Sequence, residues 1–276
     1  MMNAIYQWFA EPLAFPFMQQ AVIIGRVVAI ICATLSCYLV LKGWSLMGDA
    51  ISHAVLPGIV LAYMLSIPLA IGAFFSGVFC TIAVGYLKTN SRIKEDTVMG
   101  IVFSGMFAIG LVMFTKVESN QHLMHILFGD LLGITAHEFY QSLIISAFVF
   151  FVIVLKRRDF LLYCFDTMHA RTVGLNNTLL HYSLLVLLAL VIISAMQVVG
   201  VILVVAMLIT PGITGYILTK RFERMMLIAI LTSVNSVFWG IFLSFHFDAA
   251  TGPFIVLIQA VVFLTALAVV QLKLRK

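Results

Sequence analysis

The chain has 276 residues, 63% of them hydrophobic and 10% charged, with a mean hydropathy of +1.15 and a formal net charge of +5. Soluble domains carry roughly 45–50% apolar and about 25% charged residues, so this is the composition of a protein that lives in a bilayer. It excludes a disordered chain, a disulfide-stapled secreted fold and a nucleic-acid binder acting through a basic domain surface.

Residues 1–20 hold no basic n-region and no small-residue cleavage site, so the first span, rather than a removable signal, is expected to direct insertion. Crossing about 30 Å of hydrocarbon takes about 20 apolar residues, with roughly 17 tolerated. Segments 17–41, 50–66, 69–87, 98–114, 139–155, 179–196, 198–218, 225–245 and 254–272 meet that criterion. The expected fold class is all-α: a polytopic transmembrane helical bundle of about nine spans, or eight to ten depending on the short 50–66 segment and the Met196/Gln197 junction. No linker or composition shift divides the chain, so residues 1–276 are read as a single transmembrane domain.

Cytoplasmic loops retain Lys and Arg. One orientation places all of the 16 basic residues except Arg26 and Lys116 inside, which predicts a cytoplasmic C-terminus and an outer N-terminus. Arg26, early in the first span, is expected to snorkel to the outer interface. Two connections exceed simple turns. In the outer segment 115–138, the apolar stretch 122–132 is too short to cross and reads as an interfacial or re-entrant helix. The inner segment 159–177 holds Phe165, Asp166, His169, Arg171 and Gly174, and is expected to form one compact helical stretch bounded by the glycine. An echo links AVLPGIVLAYML at 54–65 to AMLITPGITGYIL at 206–218, in spans expected to run in opposite directions. That makes a candidate inverted repeat, an architecture common among transporters.

The most informative run is 48–57, GDAISHAVLP, because it sets Asp49 and His53 four residues apart, on one helix face and about 6 Å apart along the axis. A carboxylate inside a span costs about 2.5–3.5 kcal/mol on insertion scales, so it usually faces a cavity or a partner. Pro57 loosens the preceding turn and frees backbone carbonyls. One reading is a structural pair, with Asp49 capping the helix or meeting Lys42, and His53 bonding a neighbouring helix. The other is a transient cation site, whose mixed oxygen and nitrogen donors suit manganese, iron and zinc better than magnesium or calcium. Two ligands hold weakly, which lets a transported ion leave.

The outer His122, His125, His137 and His246, with Glu11, Glu118, Asp130, Glu138 and Asp248, are either a cation relay or ordinary loop polarity. His169 and His181 fall at the inner side and receive no metal role. Cys32, Cys37, Cys80 and Cys164 show no CxxC spacing and receive no redox or metal role. Gly100, Ser104, Gly105 and Gly110 suit close helix packing, and the scattered methionines suit gap filling. Neither GxxxxGK[ST] nor HExxH occurs, so the chain carries no phosphate cradle and no zinc-protease motif. A Ser52/His53/Asp49 triad fails because adjacent helical residues cannot point at each other.

The run 46–58, LMGDAISHAVLPG, resembles the signature of the membrane permeases of bacterial ABC importers for manganese, iron and zinc. Further similarities follow in the family's order: KEDT at 94–97, HILFG at 125–129, Phe165-Asp166, MQVVG at 196–200, and ITP at 209–211. Two departures are Asp130, where family members often carry Asn, and Thr167, where Pro is more usual. The resemblance implies a permease of the bacterial cytoplasmic (inner) membrane, with Asp49 and His53 at metal-pathway positions. It also implies two cytoplasmic ATP-binding subunits, an outer metal-binding protein and a second permease subunit, identical or sister. The transported metal is cargo and no cofactor stays bound. On this reading the inner segment with Phe165, Asp166, His169, Arg171 and Gly174 docks the ATPase, while His122, His125 and Asp130 are candidates for an outer relay. A secondary transporter driven by an ion gradient is the alternative, and an intramembrane enzyme would have to turn over without any partner.

Overall fold

A computed structural model describes residues 11–44, 46–93, 95–116, 131 and 133–274. Among these residues the secondary structure is helical and no strand occurs. In chain order the helices are α1 Pro16–Lys42, α2 Met47–Ala54, α3 Leu56–Met64, α4 Leu69–Asn90, α5 Glu95–Phe114 and α6 Ala136–Leu155; α7 Arg157–Phe165, α8 Thr167–Thr172, α9 Asn177–Val199, α10 Val201–Leu218, α11 Phe222–Phe247 and α12 Thr251–Leu274 follow. Nine segments of the described residues are long and apolar enough to cross a membrane, with α2 and α3 together making one of them. The protein is a polytopic membrane helical bundle.

The centre of the bundle is α1, which packs most extensively on α10 and α11 and also on α6, α7 and α9. Most of its apolar residues are buried, including Ile24, Val28, Ile31, Leu35 and Leu39, while Phe17 and Ile23 towards its start are exposed. At the periphery the apolar residues point outward. Tyr140, Ile144, Phe148, Phe151 and Leu155 form an exposed stripe on α6, as do Leu257, Val261 and Leu264 on α12. In hydrocarbon such stripes meet acyl chains, so helix association rests on packing and polar contacts. One such contact joins α6 to α9, where the buried Ser194 hydroxyl donates to Ser142 at 2.9 Å.

Four local features differ from expectation. The second span begins at Met47 rather than residue 50. The break expected at Met196/Gln197 falls at Gly200 instead, whose φ of 79° and ψ of 164° suit a residue without Cβ. The stretch 159–177, expected as one helical unit, is two short helices, α7 and α8. Arg26 lies 5.0 Å over the Phe238 ring of α11, so its charge is met by an aromatic face within the bundle. The interfacial stretch 122–132 falls outside the described residues except for Leu131.

Candidate functional site

The turn before α2 depends on Gly43, whose φ of 76° closes α1 in the left-handed conformation. The Gly43 and Trp44 amides donate to the Val40 and Leu39 carbonyls, and the Met47 amide then donates to the Trp44 carbonyl at 3.0 Å, which starts α2. Asp49 falls in the first turn of α2 and His53 in its last. Pro57 has no N–H to give to the His53 carbonyl, and the helix is interrupted at Val55 before α3 resumes. From α4 the Ser76 hydroxyl donates to the Ala54 carbonyl at 2.7 Å, supplying a polar contact at the break. Beside it α3 and α4 cross backbone to backbone: a Cβ on Gly58 would strike the Gly72 carbonyl, and one on Gly72 would strike that of Gly58.

Asp49 and His53 meet as their spacing implies. Nε2 of His53 stands 3.3 Å from Oδ1 of Asp49, and both side chains are about one-third exposed. Two donors each about 2.1 Å from one ion stand about 3.0 Å apart at 90° and about 3.4 Å apart at the tetrahedral angle. The observed separation of 3.3 Å lies between those values. The imidazole is held by two rings of α5, with Phe107 edge-on at 5.1 Å and Phe103 stacked at 6.1 Å. Ser52 is buried on another face and its hydroxyl donates to the Gly48 carbonyl at 2.7 Å, away from any triad. Among the described residues no group of three or more His, Cys, Asp or Glu side chains could hold a metal, so no third such side chain joins Asp49 and His53.

The small residues of α5 divide between two tasks. Gly110 packs under Leu56 and Pro57 at the break, whereas a Cβ on Gly100 or Gly105 would meet nothing. Ser104 and Ala108 are exposed as well, leaving a smooth open strip on the helix that holds His53.

At the basic end of the bundle, Asp166 stands between α7 and α8 in extended conformation (φ −147°) and caps α8. Its carboxylate accepts the Met168 amide at 2.8 Å and the His169 amide at 3.0 Å. The His169 amide is the main reason the carboxyl is held below its ordinary range; slight desolvation opposes it, and the Met168 amide and the His169 side chain add to the lowering. This cap splits the stretch, because the carboxylate that starts α8 draws residue 166 out of helical conformation. Phe165 is 80% exposed and Met168 is 73% exposed, while Ala170 is buried beneath them. His169 and Arg171 are exposed, and Gly174 ends the segment at φ 90°. The Cys164 thiol is pushed up to about 12 by burial, which suits a packing role.

Other expected residues are engaged locally. Glu138 and Thr135 form a reciprocal capping box at the start of α6. The His246 ring is paired with the Phe242 carbonyl at 2.9 Å, and Asp248 ends α11. His122, His125 and Asp130 lie outside the described residues. No local sequence pattern points to the partner of His181, whose Nδ1 lies 3.0 Å from the Tyr163 hydroxyl.

The profile of the ABC 3 transport family matches residues 14–270. A protein of Haemophilus influenzae named "Probable iron transport system membrane protein" is 65% identical over 271 residues, covering 98% of this chain and 100% of the relative. The manganese transport system membrane protein MntB of Synechocystis sp. is 51% identical over 262 residues, covering 95% and 86%. The solved structure of PsaBC from Streptococcus pneumoniae in complex with a Fab superposes with a TM-score of 0.86 at 37% identity over 95% of each chain. Since both the profile match and the shared fold extend over nearly the full length, the chain belongs to the ABC 3 transport family.

Proposed function

We propose that the chain is the membrane-spanning subunit of an ATP-driven importer for a first-row divalent metal ion, with Asp49 and His53 as ligands along the ion's path. Relatives named for iron and manganese transport support those two metals first, with zinc fitting the same donors. The observation that carries the reading is the 3.3 Å carboxylate–imidazole pair on a broken, partly exposed span. A structural pair would be expected to bury both members against neighbours. Here one side of each ligand stays open, as an ion that must enter and leave requires. Family membership favours an ATP-driven system over the gradient-driven alternative.

On this reading residues 1–276 act as one permease domain in the bacterial cytoplasmic (inner) membrane, with the basic end and the C-terminus in the cytoplasm. ATP is hydrolysed by a separate subunit that docks on α7–α8, where Phe165, Asp166, His169, Arg171 and Gly174 shape an exposed surface with an apolar knob. An outer binding protein delivers the ion, with His122, His125 and Asp130 as candidate relay residues. A second permease subunit packs on the open strip of α5 beside His53 and can supply the ligands the pair lacks.

Uptake of manganese and of iron by cells carrying Asp49→Ala or His53→Ala tests the site. Both variants should fall to background uptake while their amount in the membrane stays near wild type. Wild-type uptake by well-expressed variants would remove these two residues from the path.

A further inference from the structure

Four side chains from four segments meet at the basic end of the bundle, and no local sequence pattern joins them. Lys42 is the last residue of α1, Trp44 lies in the turn leading to α2, Tyr163 is on α7, and His181 is in the first turns of α9. The Lys42 ammonium sits 4.1 Å over the Tyr163 ring and 5.8 Å over that of Trp44. The Tyr163 hydroxyl is 3.0 Å from His181 Nδ1, and the imidazole meets the Trp44 ring edge-on at 5.0 Å. Trp44 and Tyr163 are buried, so the cation lies among rings where its attraction to them is less screened than at a surface.

The box has an address at each end. Tyr163 is three residues before Asp166, on the helix that leads into the exposed docking segment. Trp44 is five residues before Asp49, and its backbone does two jobs: its amide ends α1 on the Leu39 carbonyl at 2.8 Å, and its carbonyl receives the first amide of α2. A displacement of α7 therefore presses on a residue that fixes where α2 begins. The packing around α7 gives it little freedom to move alone, since Phe160, one turn back, stands edge-on to Tyr38 of α1 at 6.2 Å. Close-packed contacts of this kind pass on a shift rather than absorb it.

We propose that Lys42, Trp44, Tyr163 and His181 are positioning residues that carry movement of the α7–α8 segment to the start of α2, and so to Asp49 and His53. The proposal rests on the reading of α7–α8 as the ATPase-docking segment and adds the route by which docking reaches the ion.

The test uses the complete transporter in proteoliposomes, with Mn2+ or Fe2+ as the probe, and reads ATP hydrolysed per ion imported. Tyr163→Phe keeps the ring under Lys42 and removes the hydroxyl that meets His181. Lys42→Met keeps the side-chain length and removes the charge. Each should raise the ratio by about threefold or more, the scale on which mutations along coupling routes act. Co-purification of the ATPase and the melting temperature should stay at wild-type values. The double variant should be little worse than the worse single one, because both act on one route. An unchanged ratio in Tyr163→Phe and Lys42→Met, with normal assembly, overturns the proposal. If Lys42→Met fails to assemble, Tyr163→Phe alone decides. Charge reversal at Asp166 and Arg171 separates the two readings. Undiminished ATPase binding there sinks the docking assignment, whereas weakened binding together with an unchanged Tyr163→Phe ratio sinks only the relay.

Discussion

At Pro57–Gly58 a span is divided into α2 and α3, whereas at Pro211–Gly212 the helix α10 runs on from Val201 to Leu218 with the proline inside it. Both dipeptides lie at close helix crossings, and both receive a serine from a neighbouring helix. Ser76 donates to the Ala54 carbonyl at the first. Ser36 accepts the Gly212 amide at 3.0 Å and reaches the Ile209 carbonyl at 3.3 Å at the second. The difference lies four and eight residues upstream. His53 and Asp49, partly exposed, precede Pro57 there; Met207 and Leu203, fully packed, hold the same offsets from Pro211. The proline–glycine step is thus a packing device that serves both places, and what sets them apart is the pair of residues upstream of it.

Exchanging the upstream residues should give the largest effect. Leu203→Asp buries a carboxylate without a partner and should prevent accumulation in the membrane, since unpaired charge in a packed span costs several kcal/mol, roughly. Asp49→Leu should leave the amount of protein intact and abolish uptake. Immunoblots of membranes beside uptake assays distinguish the two, and equal expression of both variants would break the contrast.

Adding a methyl group at each crossing comes next. Gly58→Ala drives a Cβ into the Gly72 carbonyl, and overpacking of this kind costs about 1–3 kcal/mol. Gly212→Ala first meets the Ser36 hydroxyl, which can rotate, although the Ser36 backbone stands 2.7 Å away. Thermal unfolding in detergent should rank Gly58→Ala as the more damaging change.

Removing the serines is milder. Ser36→Ala loses two hydrogen bonds and Ser76→Ala loses one, at about 1 kcal/mol each. The same unfolding assay should show Ser36→Ala lowering stability more, and the reverse order would mean that the first break depends more on its serine than the second.

The smallest effect belongs to a helix restart made without proline, at Asp166. Its folded carboxyl is lowered below the ordinary value of about 3.9, so the cap stabilises α8 above that pH and is lost as pH falls through the lower folded value. Hydrogen exchange at the Met168 and His169 amides should stay protected from neutral pH to about pH 5 and loosen only in stronger acid. Asp166→Ala should loosen both amides across the whole range.

The length and number of spans were legible because each is a long apolar run, and the Asp49/His53 pair was legible because helical periodicity alone puts i and i+4 on one face. Breaks were harder to place. The Met196/Gln197 junction reads as the interruption in sequence, whereas the break falls three residues on at Gly200, where a residue without Cβ tolerates the backbone angles it needs. The division at Asp166 leaves no compositional mark, because the segment has helical composition throughout and only the Asp166 side-chain cap separates one helix from the next. The box around Lys42 had no sequence signal at all, since Trp44, Tyr163 and His181 come together only through tertiary packing. The two Pro–Gly segments, by contrast, read alike at the dipeptide itself, and the residues that set them apart, His53 and Asp49 against Met207 and Leu203, are visible in the sequence upstream.

The broken span also bears on how the protein is made. Spanning segments leave the translocon roughly in order, and the Asp49 segment is the least apolar of the nine. It is followed after only a short turn at Leu65–Pro68 by α4, whose Gly72 is already matched to Gly58. Insertion of the pair as a hairpin would let the second member carry the first into lipid. Biogenesis is then a step ahead of transport at which the glycine crossing counts: a sequence that keeps Asp49 and His53 but weakens the Gly58–Gly72 contact is expected to insert less efficiently.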